Sequence, residues 1–115
     1  MADLSIEVNG MHFDNPFVIG SGPPGTNYKT IAKCFRVGWG GVVAKTISLD
    51  STEVVNVAPR YGKLRTDDKS HVVGFQNIEL ISDRGLQDWL DDFKRVKDEF
   101  PDKILIASIL SLIHI

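Results

Sequence analysis

The chain has 115 residues, 43% hydrophobic and 24% charged, with a formal net charge of -2. This length suits one ordinary domain, and the composition fits a globular chain rather than a disordered one. The charge balance offers no basic footprint for nucleic acid, and the single cysteine, Cys34, excludes an intramolecular disulfide.

The N-terminus, Met1-Ala2-Asp3-Leu4-Ser5, lacks the basic and apolar regions of a signal peptide. One cysteine is consistent with a reducing compartment, and a cytoplasmic setting is expected. Leu4–Val8 alternates at period two, Asn9-Gly10 turns, and Met11-His12-Phe13 follows, which predicts a β-hairpin. Phe17-Val18-Ile19 predicts a buried strand ending in Gly20-Ser21-Gly22. Thr26 or Asn27 can cap a helix running to about Val37, with Gly38 as its stop. Gly41-Val42-Val43-Ala44 predicts a strand covered on both faces, and Lys45-Thr46 stands at its end. From Asp50 to Gly74 the chain is polar without a clear period and reads as a long functional loop. A second helix is predicted over Leu86–Phe100, with Leu86, Trp89, Leu90, Phe93, Val96 and Phe100 in one apolar stripe and Pro101 as its stop. Ile104–Ile109 predicts a third buried strand. The apolar run to Ile115 is broken by Ser108, Ser111 and His114 and falls short of the ~20 residues of a membrane span. Strands alternating with helices argue for parallel βαβ units in an α/β fold.

Ligands of parallel α/β folds sit at the carboxyl ends of strands. Lys45 is therefore a fixed positive charge offered to a bound molecule, and Thr46 beside it can donate a hydrogen bond. Gly20-Ser21-Gly22-Pro23-Pro24-Gly25 matches the spacing of a dinucleotide loop. The chemistry fails twice. Pro23 and Pro24 have no N–H to offer a pyrophosphate, and Lys45 stands where a ribose-binding acid belongs. Gly20 and Ser21 read instead as a small-residue turn that lets a flat ligand approach. Ser21 alone fits a plain βα turn equally well; beside Lys45-Thr46 the ligand site leads. Asn77 and Glu79 bracket Ile78 just ahead of the second helix. An amide and a carboxylate suit the polar edge of a planar amide or imide ring, although by spacing alone the segment is an ordinary helix-leading turn. Cys34 lies on the apolar stripe of the first helix and reads as a core thiol. His12, His71 and His114 show no ligand spacing, so no metal site is expected. Arg60, Lys63 and Arg65 read as solvated loop cations, with Arg60 able to anchor the loop.

Asn15-Pro16-Phe17, the turn at Ser21, Gly38-Trp39-Gly40-Gly41, Lys45-Thr46, Asn56-Val57-Ala58-Pro59-Arg60, Phe75–Ser82, Phe100-Pro101-Asp102-Lys103 and Ile106-Ala107-Ser108-Ile109 fall in one order. In that order they resemble the FMN-binding, dihydroorotate dehydrogenase-like domain of dihydropyrimidine dehydrogenases, from about residue 3 to 109. The resemblance implies a partial TIM (β/α)8 barrel: the N-terminal hairpin plus about three βα units. It implies reduction of the 5,6 double bond of uracil or thymine, with electrons from NADH or NADPH. FAD and iron–sulfur clusters would lie elsewhere in the enzyme or in an electron-transfer partner subunit, as in the bacterial two-subunit form, in a protein that oligomerises when full length. Carried over residue by residue, it assigns Gly20, Ser21, Lys45 and Thr46 to the FMN and Asn77, Glu79 and Ile81 to the pyrimidine.

The family's general-acid cysteine lies beyond this chain's end, and Cys34 does not match it, so no catalytic residue is assigned. A whole barrel needs ~250 residues. Residues 1–109 therefore read as the N-terminal part of the barrel. Residues 110–115 depart from the family, look like the in-frame translation of a sequencing adapter, and read as a non-native tail. The alternatives are a dihydroorotate dehydrogenase fragment and a small non-enzymatic α/β binding module.

Overall fold

The chain opens with a hairpin of β1 (Ile6–Val8) and β2 (Met11–Phe13), as its alternation predicts. The computed structural model describes residues 2–49, 57–78 and 80–110. Asn9 and Gly10 both take left-handed backbone, φ 51° and 76°, which a tight two-residue hairpin turn requires. Buried Phe13 carries the hairpin onto Gly41, at the amino end of a parallel sheet. Gly40 is forced to be glycine by the same approach: a Cβ there would lie 2.1 Å from the carbonyl oxygen of Asn15.

The sheet contains β3 (Val18–Ile19), β4 (Gly41–Val43) and β7 (Ile104–Ile106), all parallel, in the order β3-β4-β7. The strands follow sequence order with no reversal. Between β3 and β4 runs α1 (Tyr28–Arg36). Asn27, not Thr26, caps it: the Asn27 side chain accepts the Thr30 N–H at 3.1 Å, and Thr30 Oγ1 accepts the Asn27 N–H at 3.3 Å. Between β4 and β7 comes α2 (Leu86–Glu99). Ile31 and Phe35 of α1, Val42, Ala44 and Ile47 of the β4 segment, and Trp89 and Val96 of α2 form the core.

Three expectations need correction. First, β3 and β7 are less covered than buried strands should be: Val18 is exposed, as is Phe17 just ahead of it, and β7 is only half-buried. Among the described residues, each of these strands has a sheet partner on one side only. Regular pairing in β7 also stops at Ile106, with a single further bridge from Ile47 to Ile109.

Second, the α2 stripe is narrower than predicted. Leu86 and Leu90 are exposed, whereas Asp92 is buried beside Trp89 and Val96.

Third, part of the stretch read as a loop is a hairpin of β5 (Tyr61–Arg65) and β6 (Val72–Asn77). Lys63 and Arg65 therefore sit on a strand. No period-two pattern announced it, because the register shifts at Leu64/Arg65 and the large apolar side chains on both strands are exposed. Its pairing is helped by Tyr61 and Phe75, whose rings stack at 5.7 Å.

The β5–β6 turn supplies a pH test. Asp68 accepts from the Thr66 hydroxyl and the Ser70 N–H, which lower its carboxyl from 3.8 to about 2. A depressed folded value means the stabilisation is complete above 3.8 and lost as pH falls through about 2. The Ser70 amide resonance is expected to titrate with a midpoint near 2 and to lose that step in Asp68→Asn. A midpoint at the ordinary carboxyl value contradicts this.

Candidate functional site

The carboxyl ends of β3, β4 and β7 bring together residues far apart in sequence. Ser21 follows β3, Lys45 and Thr46 follow β4, and Ser108 follows β7. The Thr46 hydroxyl lies 3.2 Å from Ser21 Oγ and 2.9 Å from Ser108 Oγ, and the Thr46 N–H donates to Ser21 Oγ at 3.1 Å. Three strand ends are thus tied by one chain of hydroxyls.

Lys45 is only 5% exposed, although its side chain lines a cavity. A short 3-10 turn, Pro23–Gly25, sets its position. The Lys45 N–H donates to the Gly25 carbonyl at 2.9 Å. Gly25 lies so close to β4 that a Cβ would stand 2.6 Å from the Val43 carbonyl oxygen. Gly25→Ala must push the turn off the strand end, at an overpacking cost of about 1–3 kcal/mol. Urea unfolding is expected to show that loss, and an unchanged midpoint refutes the close approach.

Opposite this edge, the segment before α2 supplies an apolar wall. The Ser82 N–H donates to the Thr46 carbonyl at 2.7 Å, and Ser82 Oγ accepts from buried Trp89 Nε1 at 3.1 Å and from the Arg84 N–H at 3.1 Å. Ser82 therefore holds Ile81 over Thr46. The resulting cavity of about 330 Å³ is lined by Ser21, Lys45, Thr46, Leu80 and Ile81. That volume lies within the range of small-molecule sites, roughly 300–1,000 Å³.

Four residues picked from the sequence, Ser21, Lys45, Thr46 and Ile81, line one cavity. Gly20 is exposed at the end of β3, and a Cβ there would meet no atom within 4 Å. Its space is open to a ligand rather than filled by packing. Asn77 is the exposed last residue of β6, outside the lining, and α2 begins only at Leu86, so it is not part of a helix-leading turn. Glu79 lies outside the described residues. Arg60 reaches Asp83 at 3.9 Å, and its carbonyl accepts the Ile78 N–H at 2.7 Å, so it does tie this segment down. Cys34 is partly buried against the core, and burial pushes its thiol up, as for an unreactive cysteine. His12 pairs with Glu7 at 2.7 Å. No group of three His, Cys, Asp or Glu among the described residues is placed to hold a metal ion. Sequence reasoning gave no role to Ser82, Leu80 or Ser108. Ser108 follows β7 much as Thr46 follows β4.

Asp92 holds the scaffold behind the site. Its carboxylate accepts the Tyr28 N–H at 2.9 Å, at the positive end of α1, and Arg84 Nη1 at 2.5 Å. Arg84 also donates to the Thr26 carbonyl at 3.0 Å and lies 5.1 Å over the Trp89 ring. Asp92→Ala leaves a mostly buried guanidinium without its carboxylate, a change that costs about 3–5 kcal/mol. A lowered urea midpoint is the expected result; wild-type stability contradicts it.

No family model matches the chain. It is 58% identical over 94% of its length to the chloroplastic dihydropyrimidine dehydrogenase (NADP(+)) of Arabidopsis thaliana, and covers 26% of that protein. It is 43% identical over 94% of its length to the NAD-dependent dihydropyrimidine dehydrogenase subunit PreA of Escherichia coli, again covering 26%. The catalytic subunit of dihydroorotate dehydrogenase B from Pyrococcus abyssi is 26% identical over 85% of the chain. The chain spans about a quarter of the length of the two dihydropyrimidine dehydrogenase relatives. Along nearly its whole length, the chain is therefore similar to one stretch of these two dihydropyrimidine dehydrogenases.

Proposed function

We propose that this chain is the N-terminal part of an FMN-dependent dihydropyrimidine dehydrogenase, which reduces the 5,6 double bond of uracil or thymine with electrons from NADH or NADPH. The observation that carries this is a buried lysine meeting two hydroxyls and an apolar wall at the ends of parallel strands. Those residues fit a flavin: an apolar face for a flat ring, a cation for the charge of its reduced form, and hydroxyls for its polar edge. The parallel βαβ units in unreversed strand order are what the start of a (β/α)8 barrel requires. The much weaker likeness to the dihydroorotate enzyme supports the same flavin-barrel class.

Bound FMN would supply hydride transfer to the pyrimidine ring. Lys45 holds a positive charge where electron density accumulates. Ser21 and Thr46 orient the ring by hydrogen bonds. Ile81 excludes water from one side. Asn77 and Glu79 remain the proposed readers of the pyrimidine's polar edge, on the strength of the resemblance. FAD and iron–sulfur clusters belong to the rest of the enzyme or to a partner subunit; the bacterial relative is itself named as a subunit. No helix among the described residues is long and apolar enough to cross a membrane, and we assign the enzyme to the cytoplasm, whereas the plant relative is named as chloroplastic.

The test has two parts. Genomic DNA downstream of Ile109 is expected to continue the reading frame into a cysteine-bearing loop, with residues 110–115 absent as a non-native tail. The full-length enzyme is then expected to oxidise a nicotinamide cofactor when given uracil or thymine. Turnover with orotate alone overturns the proposal.

A further inference from the structure

Ser108 stands behind the cavity rather than in it. It is half-buried, it does not line the pocket, and its hydroxyl bonds to Thr46 Oγ1 at 2.9 Å. A hydroxyl carries one proton and two lone pairs, so the chain Ser21–Thr46–Ser108 can be satisfied in two directions. In one, Ser108 donates to Thr46 and Thr46 to Ser21. Ser21 Oγ then accepts twice, from the Thr46 hydroxyl and the Thr46 N–H. Its own proton is left to donate into the cavity. In the other, Ser21 donates to Thr46 and Thr46 to Ser108. The cavity then faces a Ser21 oxygen with a lone pair and no proton to give. Each hydroxyl only rotates about its C–O bond, so no bond to hydrogen is broken.

We propose that Ser108 is a positioning residue: it accepts the Thr46 proton and so lets the Ser21–Thr46 pair turn from donor to acceptor toward a bound ligand. The ligand class this suits has a ring nitrogen that accepts a hydrogen bond when oxidised and donates one when reduced. That description fits a flavin, and the inference rests on the flavin assignment made above. Without Ser108, Ser21 Oγ is the hydroxyl left to accept the Thr46 proton among the described residues. The pair is then biased toward the donor arrangement. It keeps its match to the oxidised ring and loses its match to the reduced one.

The experiment compares wild type, Ser108→Ala and Ser108→Thr in the full-length enzyme, measuring the dissociation constant of oxidised FMN and the midpoint potential of the bound flavin by its absorbance. In Ser108→Ala, affinity for oxidised FMN is expected to stay within about threefold of wild type. Affinity for reduced FMN is expected to fall about tenfold, the scale of one neutral hydrogen bond, and the potential to shift to more negative values. Ser108→Thr keeps the hydroxyl and is expected to restore the wild-type potential. Equal weakening of both oxidation states, or an unmoved potential, overturns the role of Ser108 and leaves the flavin assignment standing. Wild-type enzyme that takes up no FMN overturns both.

Discussion

Replacing Lys45 with Met is expected to slow flavin reduction in the full-length enzyme by about ten- to a hundredfold. A hydrogen bond to a charged group contributes about 1.5–3 kcal/mol, and each 1.4 kcal/mol is a factor of ten. Lys45 is 5% exposed at the cavity wall, so its field is screened less by water than that of a surface lysine. The loss should fall mainly on the reduced cofactor, because the extra charge appears only there. Lys45→Arg keeps the charge but must fit a wider group where the Gly25 turn grips the backbone at 2.9 Å, so partial activity is expected. Stopped-flow reduction with NADH or NADPH, alongside FMN titration, separates the two variants. Unchanged flavin affinity and turnover in Lys45→Met would remove the basis of the functional proposal.

Lys45 was legible because its position breaks a rule. A charge directly after Gly41-Val42-Val43-Ala44 has no packing reason to be there, and the strand end is where ligands bind. Ser21 was legible for the same reason, once its turn failed as a phosphate loop. Two kinds of residue escaped. Ser82 and Ser108 act through a hydrogen-bond partner on another strand or segment, and a lone serine does not announce such a partner. In the sequence Asp92 is one of three acids, with Asp88 and Asp91, in the first half of the second helix, where the helix dipole favours them. Its burial depends on Arg84 and on the N-terminus of α1, 64 residues away in sequence from Tyr28 to Asp92. The β5–β6 hairpin escaped for a different reason. Without a buried face, alternation has nothing to record, and the strand signal is lost.

Expressed alone, the 115-residue chain is expected to self-associate and to purify without colour even when FMN is supplied. Among the described residues, one side of β3 and one side of β7 have no neighbouring strand, and free strand edges template pairing between chains. Leu49, which follows β4, is 75% exposed, and Ile109, which follows β7, is 71% exposed. The surface amounts to 7971 Å², against about 6,300 Å² for a folded monomer of this mass. The radius of gyration is 17.3 Å, against about 13 Å for a compact domain of this length. Both values exceed those of a compact domain of this length, in keeping with the many large apolar side chains left exposed. The cavity is lined by Ser21, Lys45, Thr46, Leu80 and Ile81; on the proposed reading these would hold only the flavin ring, and the phosphate sites of such barrels are built near the last two strands. Size-exclusion chromatography with light scattering, followed by an absorbance spectrum, checks both statements. A monomeric, yellow protein with a cooperative melt would show that these few elements close a site unaided, and would favour a self-sufficient binding module over a segment of an enzyme.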